Sequence, residues 1–108
     1  MSARKVFWAR TAASDLAAVL DHIAAEHPDA AREVLRRIHE RAQTLNALST
    51  RGRVVPELRD IGASQYRELI ERPWRLIYRI DRDRIVVLAL LDARRDLAAL
   101  LLERLVRS

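Results

Sequence analysis

Five arginines in the second half of the chain carry the chemistry this sequence has to offer: Arg67, Arg75, Arg79, Arg94 and Arg95. A guanidinium is a flat, permanently charged fork of five donors that binds phosphates and carboxylates bidentately and stacks on rings. It therefore suits nucleic acid or an acidic protein surface. Arg67 falls in one apolar run, Arg75 and Arg79 in the next, and Arg94 and Arg95 just after a third. Sequential strands are expected to bring them to one sheet surface near Tyr66 and Trp74, with Tyr78 on the middle strand. A concave basic patch with aromatics is what single-stranded nucleic acid requires, through backbone neutralisation and base stacking. The plainer alternative is that Arg67 and Arg79 pair with Glu68, Glu71 or Asp81 as solvated ion pairs, worth roughly 0 to 1 kcal/mol each. Tyr66, Trp74 and Tyr78 are expected to pack in the core or along strand edges rather than to serve as stacking platforms. The candidates for contact with a target are thus Arg67, Arg75, Arg79, Arg94, Arg95, Trp74 and Tyr78.

Other chemistries find little support. A metal site needs several converging ligands, yet His22 and His27 stand five apart on one helix, about 500° of turn, and His39 is alone on the next. No Gly-x-Ser-x-Gly elbow exists, and Ser14 and Ser64 read as helix-start and loop residues. With 2 glycines a backbone cradle for phosphates is not expected, and with 0 cysteines disulfides, thiolate metal sites and a cysteine nucleophile are removed together. No cofactor and no metal is expected. The absence of cysteine fits a reducing cytoplasm. Residues 6–9 are too short an apolar run for a signal-peptide core, and the run 85–91 is closed by Asp92 and Arg94, short of the roughly 18 residues of a membrane span. A cytoplasmic protein is expected.

The elements that must position these residues follow from period and punctuation. The chain has 108 residues, 50% of them hydrophobic, with only 3 prolines, which suits one domain spanning 1–108 with long, uninterrupted elements. Val6 and Trp8, two apart, predict a short entering strand. Thr11 offers an N-cap hydroxyl and Asp15 a first-turn carboxylate for a helix whose stripe is Leu16, Val19, Leu20 and Ile23, ended by Pro28. Asp29 is the expected cap of a second helix, with Val34, Leu35, Ile38, Ala42, Leu45 and Leu48 as its stripe, and the short connection predicts an antiparallel helical hairpin. From 49 to 64 the period is lost and Gly52, Pro56 and Gly62 mark an irregular loop. Residues 65–71, 74–81 and 84–91 then read as a three-stranded antiparallel meander. In its middle strand Trp74, Leu76, Tyr78 and Ile80 share a core face, while Arg75, Ile77 and Arg79 share the other and present guanidinium groups. Residues 85–91 lack alternation, as expected of a central strand covered on both sides. Asp96 can cap a C-terminal helix with Leu97, Leu100, Leu101 and Leu105 as its stripe, widened by Leu102 and Val106 beyond what a terminal helix needs. The fold class is α+β, in the order β, α, α, β, β, β, α.

In that order, Thr11-Ala12-Ala13-Ser14-Asp15-Leu16, Ala24-Ala25-Glu26-His27-Pro28-Asp29-Ala30-Ala31, Gly52-Arg53-Val54-Val55-Pro56-Glu57-Leu58, Tyr66-Arg67-Glu68, Trp74-Arg75-Leu76-Ile77-Tyr78-Arg79 and Arg94-Arg95-Asp96-Leu97 form a familiar series. Over nearly the whole chain it resembles the ParE/RelE superfamily of toxins from bacterial type II toxin-antitoxin pairs, and the ParE branch more closely. The resemblance implies the same fold, a helical hairpin against an antiparallel sheet with a C-terminal helix. RelE-like members cleave mRNA on the ribosome, whereas ParE-like members poison DNA gyrase and are not known as hydrolases. RNA-cleaving relatives use basic residues with a late Tyr, or a Glu and a late His, to move protons. Arg67, Arg75 and Arg94 match basic positions of that pattern, but no His follows His39 and no Tyr follows Tyr78. Asp92 stands where many relatives place a His, and Leu100 or Leu101 where a Tyr would fall, and an arginine cannot readily be deprotonated in their place. The resemblance therefore implies a toxin without catalytic residues that stabilises the cleaved-DNA state of gyrase, with a ribosome-dependent mRNA endoribonuclease as the alternative. It also implies a cognate antitoxin held in a hetero-oligomer. Leu101, Leu102, Leu105 and Val106, with a formal charge of +5, predict an acidic antitoxin whose apolar helix lies along the C-terminal helix and sheet. The alternative is that those residues complete the core.

Overall fold

The computed structural model describes residues 3–94 and 96–107, with the side chains of residues 101 and 105–107 outside that description. Strand β1 (Lys5–Trp8) leads into helices α1 (Arg10–Ala24) and α2 (Pro28–Gln43), the second prolonged by a 3₁₀ turn at Thr44–Asn46. After β2 (Arg53–Val54) and the single-turn helix α3 (Pro56–Arg59) come β3 (Tyr66–Glu71), β4 (Trp74–Asp81), β5 (Arg84–Asp92) and helix α4 (Leu97–Arg107). The expected α+β order is present, with β2 and α3 added inside the segment expected to be irregular. Two strand residues and one helical turn are too short to leave a period in the sequence.

The five strands lie in the order β1-β5-β4-β3-β2, with β1 parallel to β5 and every other pair antiparallel. One sheet face packs on the helical hairpin. There Leu69, Leu76, Tyr78, Ile85, Val87 and Leu90 meet Ala12 and Leu16 of α1, Val34, Ile38 and Ala42 of α2, and Leu45. On the other face Ile77, Ala89 and Leu91 meet Val55, Leu58 of α3 and Leu97 of α4. Leu35 and Leu48, expected in the α2 stripe, are exposed at 37% and 54%; Leu35 lies one residue, about 100° of turn, away from Val34.

The missing alternation in β5 has two causes. Both faces are covered over residues 89–91, and the pairing with β4 slips: Ile77 faces Ala89 but Tyr78 faces Val87, so Leu88 is an extra residue. This bulge switches the hairpin face from odd-numbered Ile85 and Val87 to even-numbered Leu90.

Beyond Val87, β5 has no strand on its β1 side, because the chain has already turned into α1. Groups of α1 meet the backbone there. The Ala9 amide donates to the Val87 carbonyl at 2.8 Å, Thr11 Oγ1 donates to the Leu88 carbonyl at 3.1 Å, and Asp15 Oδ2 accepts the Leu90 amide at 3.0 Å. This corrects the capping expectation. Helix α1 starts after Ala9 with no side-chain cap, and Thr11 and Asp15 serve the sheet edge instead. Likewise Asp29 lies in the first turn of α2, after His27 at the cap and Pro28 at the first position, where the carboxylate still meets the positive helix end. Asp96 does receive the Ala99 amide, at 3.4 Å. Asp15 also binds Arg104, Oδ2 to Nη1 at 2.8 Å and Oδ1 to Nη2 at 3.1 Å, which joins α4 to α1. Among the described residues no helix is long and apolar enough to cross a membrane.

Candidate functional site

Register decides where the arginines go. Arg67 lies opposite Tyr78 and so points to the hairpin face, while Arg75 and Arg79, one residue out of phase with Tyr78, point to the other. The expected convergence of Arg67 with Arg75 and Arg79 on one surface is therefore corrected. Arg67 Nη1 instead donates to the Gly52 carbonyl at 2.8 Å.

Arg75 is on the predicted face but is only 6% exposed, which corrects the expectation of an open guanidinium there. Its Nη1 and Nη2 bind Glu57 Oε2 and Oε1 at 2.7 and 2.8 Å, and its Nε donates to Glu68. Glu68, 1% exposed, also accepts from Arg53 Nε at 2.7 Å. Two cations and two carboxylates thus link β2, α3, β3 and β4. The physical reason is α3, which sequence punctuation did not reveal: Pro56 starts a turn that lays Glu57 over Arg75. Hydrogen bonds from Arg75 hold the Glu57 carboxyl down to about 2. A carboxyl that titrates lower folded than unfolded contributes stability above the ordinary glutamate range and loses it as pH falls toward about 2. The urea midpoint of the wild type is therefore expected to drop more steeply than that of Glu57→Gln between about pH 4.5 and 2.5. Parallel pH profiles for the two would refute the assignment.

The remaining candidates are separated. Tyr78 is fully buried, its hydroxyl donating to the Ser49 carbonyl at 2.8 Å and accepting the Gly52 amide at 2.9 Å, and burial pushes its phenol upward. Trp74 is half-buried in a cleft of about 360 Å³ between α1 and α4. Arg94 is exposed and grips Asp92, Nε to Oδ1 at 3.1 Å and Nη2 to Oδ2 at 2.8 Å. Arg95 lies outside the described residues, as do the side chains of Leu101, Leu105 and Val106; Leu102 is 43% exposed on α4. Among the described residues no group of three or more His, Asp or Glu is placed to hold a metal ion.

A basic surface with aromatics does exist, built from mostly different residues. α3 and α4 cover only part of the sheet face away from the hairpin. Toward the β4–β5 turn, the registers place Phe7, Val86, Arg79 and Tyr66 side by side across β1, β5, β4 and β3, with Lys5 and Arg84 in the adjoining row. Phe7 is 46% exposed, with the Arg84 guanidinium 5.6 Å from its ring centroid. Arg79 and Arg84 share Asp81 at 3.8 and 3.6 Å, and Asp83 lies beside Lys5 and Arg84, so three cations outnumber two carboxylates at this end. Exposed aromatic area ringed by cations can bury against an acidic, partly apolar partner. Of the predicted set, only Arg79 among the described residues takes part. Lys5, Phe7 and Arg84 were missed, although Phe7 alternates with the core-facing Val6 and Trp8, a signal for the opposite face.

The model of the family described as "ParE toxin of type II toxin-antitoxin system, parDE" matches residues 6–97, from β1 to the first residue of α4. The chain belongs to the ParE toxin family. A solved structure described as "Chromosomal ParDE TA system from P. aeruginosa" is similar at 26% identity and a TM-score of 0.66, covering 82% of this chain and 95% of that one. No curated protein matches. The resemblance seen in the sequence motifs, including its lean toward the ParE branch, is thus correct. Within this ParE-family toxin, the ordered motifs serve mainly as structural ties: Asp15 on the sheet edge and α4, Glu57 and Glu68 on Arg75, and Gly52 under Tyr78.

Proposed function

We propose that this ParE-family toxin binds DNA gyrase and stabilises its cleaved-DNA state, and that a cognate acidic, helical antitoxin neutralises it in a hetero-oligomer. The observation that carries the reading is the family match itself, together with an open sheet face that offers cations and aromatic contact area. The ribosome-dependent nuclease is supported less well. Arg67, Arg75 and Arg94 would have to meet on one phosphate, but Arg67 points to the opposite sheet face from Arg75, and Arg75 is closed off by Glu57 and Glu68. The sequence has no His after His39 and no Tyr after Tyr78 to move a proton. For the antitoxin, the proposed apolar contact is Leu102 with Leu101, Leu105 and Val106 of α4, a reading supported by the exposure of Leu102.

The test is purified toxin with gyrase, supercoiled plasmid and ATP, with trapped linear DNA as the readout. Wild-type toxin is expected to accumulate linear DNA, and added antitoxin to abolish it. Arg79→Ala/Arg84→Ala should raise the toxin concentration needed about tenfold, the effect of two interface cations at about 0.7 kcal/mol each. Unchanged supercoiling with cleaved ribosome-bound transcripts would reject gyrase as the target.

A further inference from the structure

A second cationic site lies on the hairpin side of the molecule and is not absorbed by the reading above. Arg37 and Arg41, four residues apart, share one face of α2, and Arg51 approaches from the loop before β2. With Glu40, Thr44 and Glu71 they line a hollow of about 240 Å³. Arg41 is partly committed, since its Nη2 lies 3.4 Å from the Ile70 carbonyl and its position in the last turn of α2 suits the negative helix end. Arg37 and Arg51 are different. Among the described residues neither makes a salt bridge or a side-chain hydrogen bond, and Arg37 acts on Glu33 only through space. Glu40 lines the hollow with both of its oxygens held by Arg36 at 2.9 Å, and Arg36 is shared with Glu33. Counting Arg36, four guanidiniums stand among three carboxylates, Glu33, Glu40 and Glu71, so the region keeps net positive charge and Arg37 and Arg51 remain uncommitted.

We infer that this hollow binds phosphate groups of a nucleic-acid backbone. The lining decides the class of partner. It contains no apolar or aromatic side chain, so a protein would find no anchor to bury there, and protein interfaces draw their energy from such anchors. A phosphodiester needs only cations and N–H donors, and the guanidinium fork matches its oxygens. The open sheet face, where Phe7 and Tyr66 lie among the cations, has the opposite character. The inference does not rest on the gyrase reading, since direct backbone binding is measured without gyrase.

Fluorescence anisotropy of a labelled 20-base-pair duplex with the full chain, across a range of KCl concentrations, tests it. Arg37→Ala/Arg51→Ala is expected to weaken binding about tenfold per arginine at about 0.1 M salt, and to flatten the plot of log K against log salt by about one unit per arginine. Glu71→Gln is expected to tighten binding severalfold, a gain that misfolding cannot imitate. A single-stranded RNA showing the same sensitivity to Arg37 and Arg51 would support the backbone reading, because the phosphodiester is common to both. An unchanged salt slope in the double variant would overturn the inference, as would binding lost in Arg79→Ala/Arg84→Ala but retained in Arg37→Ala/Arg51→Ala. Displacement of the duplex by millimolar inorganic phosphate, beyond a matched chloride control, would overturn the polymeric ligand in favour of a free anion.

Discussion

Arg75→Ala is expected to destabilise the fold by about 3–5 kcal/mol, the effect of removing one member of a buried ion network and leaving its partner charged. Glu68 is the group that suffers. It is 1% exposed and would keep only Arg53, whose own side chain is 61% exposed and screened by water. Glu57, at 34% side-chain exposure, can turn back to solvent at less cost. A domain of this size has a total stability of about 5–15 kcal/mol, so the urea midpoint should fall by about a fifth or more. Arg75→Met/Glu68→Leu should recover most of that loss, since replacing both buried charges by apolar groups of similar size is often near neutral. An unfolding free energy for Arg75→Ala within about 1 kcal/mol of wild type would show that the network is dispensable. The consequence for function is direct: loss of toxicity in Arg75→Ala reports on the fold, and Arg79 and Arg84 are the positions at which to probe target contact.

Gly52→Ala is expected to cost about 3 kcal/mol or more. A Cβ at this position would stand 2.5 Å from the Glu68 carbonyl oxygen and 2.7 Å from both Cε1 and the hydroxyl of Tyr78. The first neighbour is backbone of β3 and the second a ring at 0% exposure, so neither has room to retreat. Overpacking of this kind costs about 1–3 kcal/mol. Displacing the Tyr78 hydroxyl adds the desolvation of the Gly52 amide and Ser49 carbonyl, about 1–3 kcal/mol for a buried group left unpaired. Tyr78→Phe isolates that second part and should be the milder change. Gly62→Ala is the comparator, because at φ 86° nothing lies within 4 Å of its Cβ position and only backbone strain of about 1–2 kcal/mol opposes it. Thermal unfolding of the three variants should rank Gly52→Ala lowest; equal melting temperatures for the two alanine variants would contradict the close approach.

Much of the fold was legible because its signals are local. The stripes Leu16 to Ile23 and Val34 to Ala42 announce two helices, Pro28 separates them, and the breaks at Arg72-Pro73 and Asp81-Arg82-Asp83 divide three strands. The candidate site was less legible. Thr11 and Asp15 look like capping residues within their own segment, and only the bare edge of β5, more than seventy residues away, turns them to the Leu88 carbonyl and the Leu90 amide. Arg75 looks like a surface cation until α3 brings Glu57 over it.

By itself the sequence determined the α+β class, the hairpin followed by the meander, and through the order of its motifs the ParE family, because periodicity, turn residues and motif order are all properties of neighbouring positions. Only the tertiary structure decided which charges are buried and which are presented. A strand side chain points to one face or the other according to inter-strand register, and one residue of slip reverses it. The pairing of Arg67 with Tyr78, and the extra residue Leu88 in β5, arise from packing across the whole sheet. They separate Arg67 from Arg75 and leave Lys5, Phe7, Arg79 and Arg84 to form the open basic face.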